Sequence, residues 1–216
     1  GTVSANDCFR PISRYFDRIT RPEQLLQALP KAMSVLTDAA LCGPVTLSLC
    51  QDVQAESYAF PDKFFAPRVW EIRRQCPDAD EMATAIAVVK AAKRPLILAG
   101  GGVRYAGASA ALASFAAATG IPVAATQAGK SVMPEAHPNY VGSLGVTGSS
   151  AANALAQKAD VVVSVGSRLQ DFTTGSNGLI TGEIFALNVQ LHDAIKHDAT
   201  TLVGDALVGL ESLAEA

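Results

Sequence analysis

Arg94 to Val103 reads R-P-L-I-L-A-G-G-G-V, an apolar run that ends in three glycines and opens into the alanine-rich segment Ala106 to Thr119. A buried strand feeding a helix through glycines is the unit from which open α/β sheets build a crevice at their carboxyl edge. Glycines at such a turn let backbone N–H groups approach a ligand with no Cβ in the way, and they open φ angles closed to other residues. A tight strand-to-helix turn without a ligand uses the same residues, so the stretch sets the architecture and leaves the ligand open.

The pattern recurs on both sides of it. Asp78 with Glu81 predicts a helix start, with Met82, Ala85, Ile86 and Val89 facing inward. The helix Ala106 to Thr119 ends at Gly120, Ile121 to Ala125 is the next strand, and T-Q-A-G-K-S-V-M-P follows from Thr126. A helix over Ser149 to Ala159, a strand over Val161 to Val165 and the loop Gly166 to Gly178 come next. Strands Ile184 to Asn188 and Thr201 to Val203, a short helix near His192 to Lys196 and a last helix from Ala206 to Ala214 close the chain. Apolar strands and helices in this alternation predict an α/β fold, a doubly wound parallel sheet with helices on both faces, because right-handed crossovers put them there. The loops 100–105, 126–131 and 166–178 all follow strands, so they converge on one edge.

The front of the chain reads differently. Thr20, Arg21, Pro22 and Glu23 predict a capped helix running to about Ala40, with a capping box closed by Glu23. Val45 to Cys50 is an apolar strand after the break Cys42-Gly43-Pro44. One helix and one strand are too little for a sheet, so residues 1–55 form a partial appendage that looks like the end of a domain, and the chain reads as an excised piece. Residues 56–77 lack a period and carry Tyr58, Phe60, Phe64, Phe65 and Trp70, which predicts an ordered linker pinned by aromatics. The regular unit is 78–216.

The chain has 216 residues, 49% hydrophobic and 17% charged, which is enough to bury a core without disulfide staples. A net charge of −3 argues against a nucleic-acid partner. The basic group Arg68, Arg73 and Arg74 beside Trp70 reads as a solvated helix face. Four cysteines at spacings of 34, 8 and 26, with no C-x-x-C pair, form neither a disulfide framework nor a zinc site. No apolar run approaches the ~18 residues needed to cross a bilayer, and with no signal peptide in view the expected compartment is the cytoplasm.

Several chemistries drop out on spacing. A dinucleotide fingerprint needs G-x-G-x-x-G and an acid at the end of the second strand; here Gly102 is followed by Val103, Arg104 and Tyr105, and the strand ends in Thr126 and Gln127. Gly129-Lys130-Ser131 is not a P-loop, because the position of the leading glycine is Ala124. Ser167, Arg168, Asp171, Thr173 and Thr174 suit phosphate or ribose hydroxyls, while an Arg168–Asp171 contact that only holds the loop explains them equally. His192 and His197 are five apart, the wrong spacing for one helical face and hence for a metal pair. Asn153 either reaches a loop backbone or is an exposed polar position. No serine or cysteine nucleophile has a recognisable base.

Taken together the loops carry a resemblance. G-P-V-T-L-S-L-C-Q-D-V-Q (43–54), R-P-L-I-L-A-G-G-G-V (94–103), T-Q-A-G-K (126–130), G-S-L-G-V-T-G (142–148), A-A-N (151–153) and G-S-R-L-Q-D-F-T-T (166–174) resemble thiamine-diphosphate-dependent enzymes of the acetolactate synthase type, in the same order and over almost the whole chain. The versions T-Q-A-G-K, G-V-T-G and D-F-T-T, with Q-D-V-Q-A-E before F-F and R-V-W, are most similar to the branch that opens a cyclic diketone by carbon–carbon hydrolysis in myo-inositol catabolism. Gln170 stands where the acetolactate synthase branch carries an aspartate.

The resemblance implies a Rossmann-like central domain, preceded over 1–55 by the end of a pyrimidine-binding domain. It also implies that this piece is inactive alone. Thiamine diphosphate and Mg²⁺ would serve the parent protein through motifs outside this chain, the activating glutamate and the G-D-G…N motif. Gly204-Asp205 does not replace the latter, since Ala206 follows and no spaced Asn comes after it. Some members hold ADP or FAD through positions that are here Gly100, Gly101, Gly102, Thr126, Gln127, Ser167 and Arg168, implying a vestigial pocket. The implied partners are the missing pyrimidine and diphosphate domains, a small-molecule substrate, and further copies in a homodimer or homotetramer.

Overall fold

The computed structural model describes residues 3–216, which divide into two compact units at Arg73/Arg74. In the first unit, helix α1 (Asn6–Phe9) leads to strand β1 (Tyr15–Ile19), helix α2 (Leu25–Leu36) and strand β2 (Val45–Leu49), and β1 and β2 pair in parallel. β1 has no counterpart in the sequence reading; Tyr15, Phe16 and Ile19 alternate with Asp17 and Arg18 too briefly to register as a strand. Helix α2 is shorter than the predicted 20–40, because Pro22–Gln24 form a separate 3-10 turn before it and Thr37 ends it, where the Asp38 side chain then accepts from Ala40 N and Leu41 N. The cap also differs. The Gln24 side chain accepts from Thr20 N (2.7 Å) and Arg21 N (3.0 Å), while Glu23 pairs with Arg21 at 2.7 Å.

Residues 68–78 form neither helix nor strand, so the basic group is not a helix face. Arg68 stacks over Trp70 at 3.8 Å, whereas Arg74 belongs to the second unit and donates to Ala106 O and Asp205 Oδ1. Phe60 stacks on Phe64 with centroids 4.8 Å apart, and Tyr58 and Phe65 meet Phe60 edge-on. These rings pin one another.

The second unit is a six-stranded parallel sheet in the order β5-β4-β3-β6-β7-β8. Its elements are α3 (Ala79–Ala91), β3 (Pro95–Ala99), α4 (Gly101–Tyr105), α5 (Ser109–Thr119), β4 (Val123–Ala125), β5 (Tyr140–Ser143), α6 (Ser150–Lys158), β6 (Val161–Val165), α7 (Asp171–Thr174), β7 (Glu183–Asn188), α8 (Leu191–Ala194), β8 (Thr200–Val203) and α9 (Ala206–Glu215). Side chains alternate across the pleat, so Ile97, Ala99, Val163 and Val165 join the core with Leu112, Phe115 and Leu210, while Leu96, Leu98 and Val162 join the other with Ala152 and Ala156. Both faces are covered, which is why these strands read as continuous apolar runs.

Three local features differ from the sequence reading. The helix after the glycines starts at Gly101, breaks at Gly107 (φ 65°) and resumes at Ser109. Tyr140–Ser143 is an edge strand, hidden in the sequence because Gly142 (φ 99°) and Ser143 break its apolar run. Asp78 caps α3 as expected, but Glu81 does not complete a box: its carboxylate accepts from Val203 N at 2.8 Å and ties α3 to β8.

Candidate functional site

The sheet order reverses between β3 and β6, which are neighbours although two strands and three helices separate them in sequence. Ligands of open α/β sheets sit at such a switch point, beyond the carboxyl ends of the strands. Here those ends carry Gly100–Gly102 after β3 and Gly166–Arg168 after β6.

The two turns are locked together through backbone. Gly100 N donates to Val165 O at 2.8 Å, Gly102 N to Gly166 O at 2.9 Å, and Gly166 N to Leu187 O at 2.8 Å. A Cβ on Gly102 would lie 2.6 Å from Gly166 Cα, and one on Gly100 would strike the Gly166 carbonyl. Gly166 itself has φ 60°, where a side chain would be strained. Thr126 N donates to Ala99 O at 2.9 Å, its hydroxyl accepts from Gly129 N at 3.0 Å, and a Cβ on Gly101 would touch Ala128. The structure therefore brings Gly100, Gly101, Gly102, Thr126, Ser167 and Arg168 to one rim, with Gln127 exposed beside them.

What fills the cradle is the protein's own backbone. The N–H groups of Gly100 and Gly102 already meet carbonyls, the Thr126 hydroxyl holds its own turn, and Ser167 Oγ accepts from Leu169 N at 3.1 Å. Arg168 and Asp171 are exposed, and among the described residues no ion pair joins them, so the loop is not held in that way. Asn153 proves to be the loop-binding kind: its amide donates to Gly145 O (3.0 Å) and accepts from Gly145 N (3.1 Å), closing the turn 142–148. Sequence reasoning missed Asn188, a buried polar residue at the end of β7 whose amide donates to Ser167 O at 2.8 Å. A polar residue closing an apolar strand was the available signal.

A concavity of about 300 Å³ lies elsewhere, between the C-terminal ends of α3, α5 and α9, lined by Ile86, Val89, Phe115 and Leu213.

Residues 82–213 match the family model described as thiamine pyrophosphate enzyme, central domain. The chain belongs to that family. It is 47% identical over 216 residues to a 3D-(3,5/4)-trihydroxycyclohexane-1,2-dione hydrolase from Geobacillus thermodenitrificans (strain NG80-2), covering 100% of this chain and 34% of that protein. A protein of the same name from Clostridium perfringens (strain ATCC 13124) is 45% identical over 214 residues, covering 98% of this chain and 34% of it. The chain thus spans about a third of the length of these relatives. Among solved structures, one described as a thiamin diphosphate-dependent enzyme from Mycobacterium smegmatis superposes with a TM-score of 0.78 at 26% identity, covering 98% of this chain and 41% of that one. Benzoylformate decarboxylase from Polynucleobacter necessarius shares the fold with a TM-score of 0.76 at 23% identity, over 95% and 39% of the two chains.

The family implies thiamine diphosphate, and the residues of this central domain do not fit its metal-bound diphosphate. Among the described residues no group of three His, Cys, Asp or Glu side chains is placed to hold a metal ion. Asp205, the nearest approach to a G-D motif, is buried with its Oδ1 taken by Arg74 Nη1 (2.9 Å) and Leu207 N (3.0 Å), where it caps α9. No helix among the described residues is long and apolar enough to cross a membrane.

Proposed function

We propose that this chain is the central segment of a thiamine-diphosphate-dependent hydrolase that opens the ring of 3D-(3,5/4)-trihydroxycyclohexane-1,2-dione by carbon–carbon cleavage in myo-inositol catabolism. The observation that carries this reading is the 47% identity, over every residue of the chain, to a protein of that name. Residues 1–55 are the end of a pyrimidine-binding domain, 56–77 the linker and 78–216 the central domain. The full-length protein holds thiamine diphosphate and Mg²⁺ in its other domains, works in the cytoplasm, and is a homodimer or homotetramer. The glycine rim of Gly100–Gly102, Thr126, Gln127, Ser167 and Arg168 is a vestigial nucleotide pocket turned to scaffolding, a reading supported by the backbone contacts that occupy its donors.

The test is a comparison of two proteins. The full-length protein with thiamine diphosphate, Mg²⁺ and the cyclic diketone should consume substrate, and this chain alone should not. Turnover by the chain alone, or a full-length protein that condenses pyruvate and leaves the diketone untouched, would overturn the proposal, the latter in favour of an acetolactate synthase-like enzyme. Calorimetric titration of ADP and FAD addresses the rim: micromolar binding lost in Arg168→Ala would make it a nucleotide-binding module.

A further inference from the structure

Three consecutive carbonyls of the rim loop after β6 are each met by a side chain from the end of β7 or from the connection that follows it. The Ser167 carbonyl accepts from Asn188 Nδ2 at 2.8 Å, the Arg168 carbonyl accepts from Lys196 Nζ at 2.9 Å, and the Leu169 carbonyl lies 3.3 Å from His197 Nε2. Asn188 is buried, whereas the Lys196 side chain is 33% exposed and His197 lies at the surface, so the inner bond is an anchor and the outer two can release. Lys196 is fixed from its other side by Asp193 Oδ1 at 2.6 Å.

Both segments hold uncommon backbone. Leu169 (φ 47°), His197 (φ 60°) and Asp198 (φ 53°) are left-handed although each carries a Cβ, and such conformations persist only where the surroundings over-determine them. The cross-loop bonds supply that determination. Arg168 is exposed, with no ion pair of its own among the described residues, and its carbonyl is held by Lys196.

We propose that the turn 193–198 is a latch on the rim loop, and that Lys196 is the positioning residue that sets where Arg168 presents its guanidinium. An ammonium donor to a carbonyl is a charge-assisted bond, stronger than the neutral contacts around it, so it governs local opening of this loop. The inference goes beyond the proposed function, since it concerns the loop whatever the full-length protein binds.

Hydrogen–deuterium exchange on the whole 216-residue chain tests it. Lys196→Met should raise exchange in the peptide covering 166–170 by about tenfold, the loss expected for one such bond, with β3, β7 and the melting temperature unchanged. Lys196→Arg, which keeps a charged donor, should restore protection. An arginine-specific protease gives a second reading, because the peptide bond after Arg168 contains the gripped carbonyl: cleavage there should be faster in Lys196→Met. Wild-type exchange and cleavage in Lys196→Met, no recovery in Lys196→Arg, or a rise spread evenly over the sheet with a lower melting temperature would each overturn the latch.

Discussion

β2 and β6 are both five-residue, largely apolar strands in parallel pairs, yet every residue of Val161–Val165 is buried and none of Val45–Leu49 is. The difference lies in what surrounds them. β6 has a strand on each side and helices on both faces, whereas β2 pairs only with β1, over a cluster of three buried residues, Ile19, Ala28 and Val53. An apolar strand is thus a request for burial that only neighbours grant, and a two-stranded parallel sheet grants little.

Truncation in the covered sheet should have the largest effect. Phe185 is fully buried in β7, and Phe185→Ala should cost about 3–5 kcal/mol, read as a lower urea midpoint by circular dichroism. Leu47→Ala, half-buried in β2, should cost about 1 kcal/mol or less by the same measure. Equal losses would break the contrast between the units.

The glycine lock comes next. Gly102→Ala should destabilise by roughly 2–3 kcal/mol, since its methyl meets the Gly166 backbone. Gly107→Ala, with open space around it, should carry only the left-handed strain of φ 65°, about 1 kcal/mol. If thermal unfolding ranks the two the other way, the rim is not locked by close packing. Asp78→Ala removes the oxygen that accepts from Asp80 N and Glu81 N at the start of α3, for about 1 kcal/mol, checked by the same melts.

The smallest effect concerns acid. Desolvation pushes the Asp160 carboxyl up, but backbone N–H bonds from Arg94 and Lys93, with those of Asp160 and Val161, outweigh it and hold it below its ordinary value of 3.8. A carboxyl lowered in the folded state contributes stability above its unfolded value and loses it as pH falls through the folded one. Asp160→Asn should therefore lower the melting temperature at neutral pH and flatten its fall below about pH 4, measured as melting temperature against pH. An unchanged acid limb would remove Asp160 from that role.

Much of the second unit was legible because its strands are covered on both faces and its helices end at Gly120 or start at Asp78 and Ser149, local signals that survive packing. β1 and β5 were not, since both are partly buried edge pieces in which polar residues and glycine break the run. The rim was legible as a place: Gly100–Gly102, Thr126, Ser167 and Arg168 do meet. That the glycines face Gly166 and Ala128 was decided only by the fold, because a glycine admits close approach without saying what approaches.

The sequence by itself determined a parallel α/β scaffold, its strand-to-helix turns and its family, since periodicity, caps and ordered loop motifs are local properties of the chain. Only the tertiary structure decided that β3 and β6 are neighbours, that the rim is held by its own backbone, and that Asn188, Lys196 and His197 grip three successive carbonyls. Those contacts join residues 20 or more positions apart, and their partners are backbone atoms, which every residue carries and no side-chain pattern reveals.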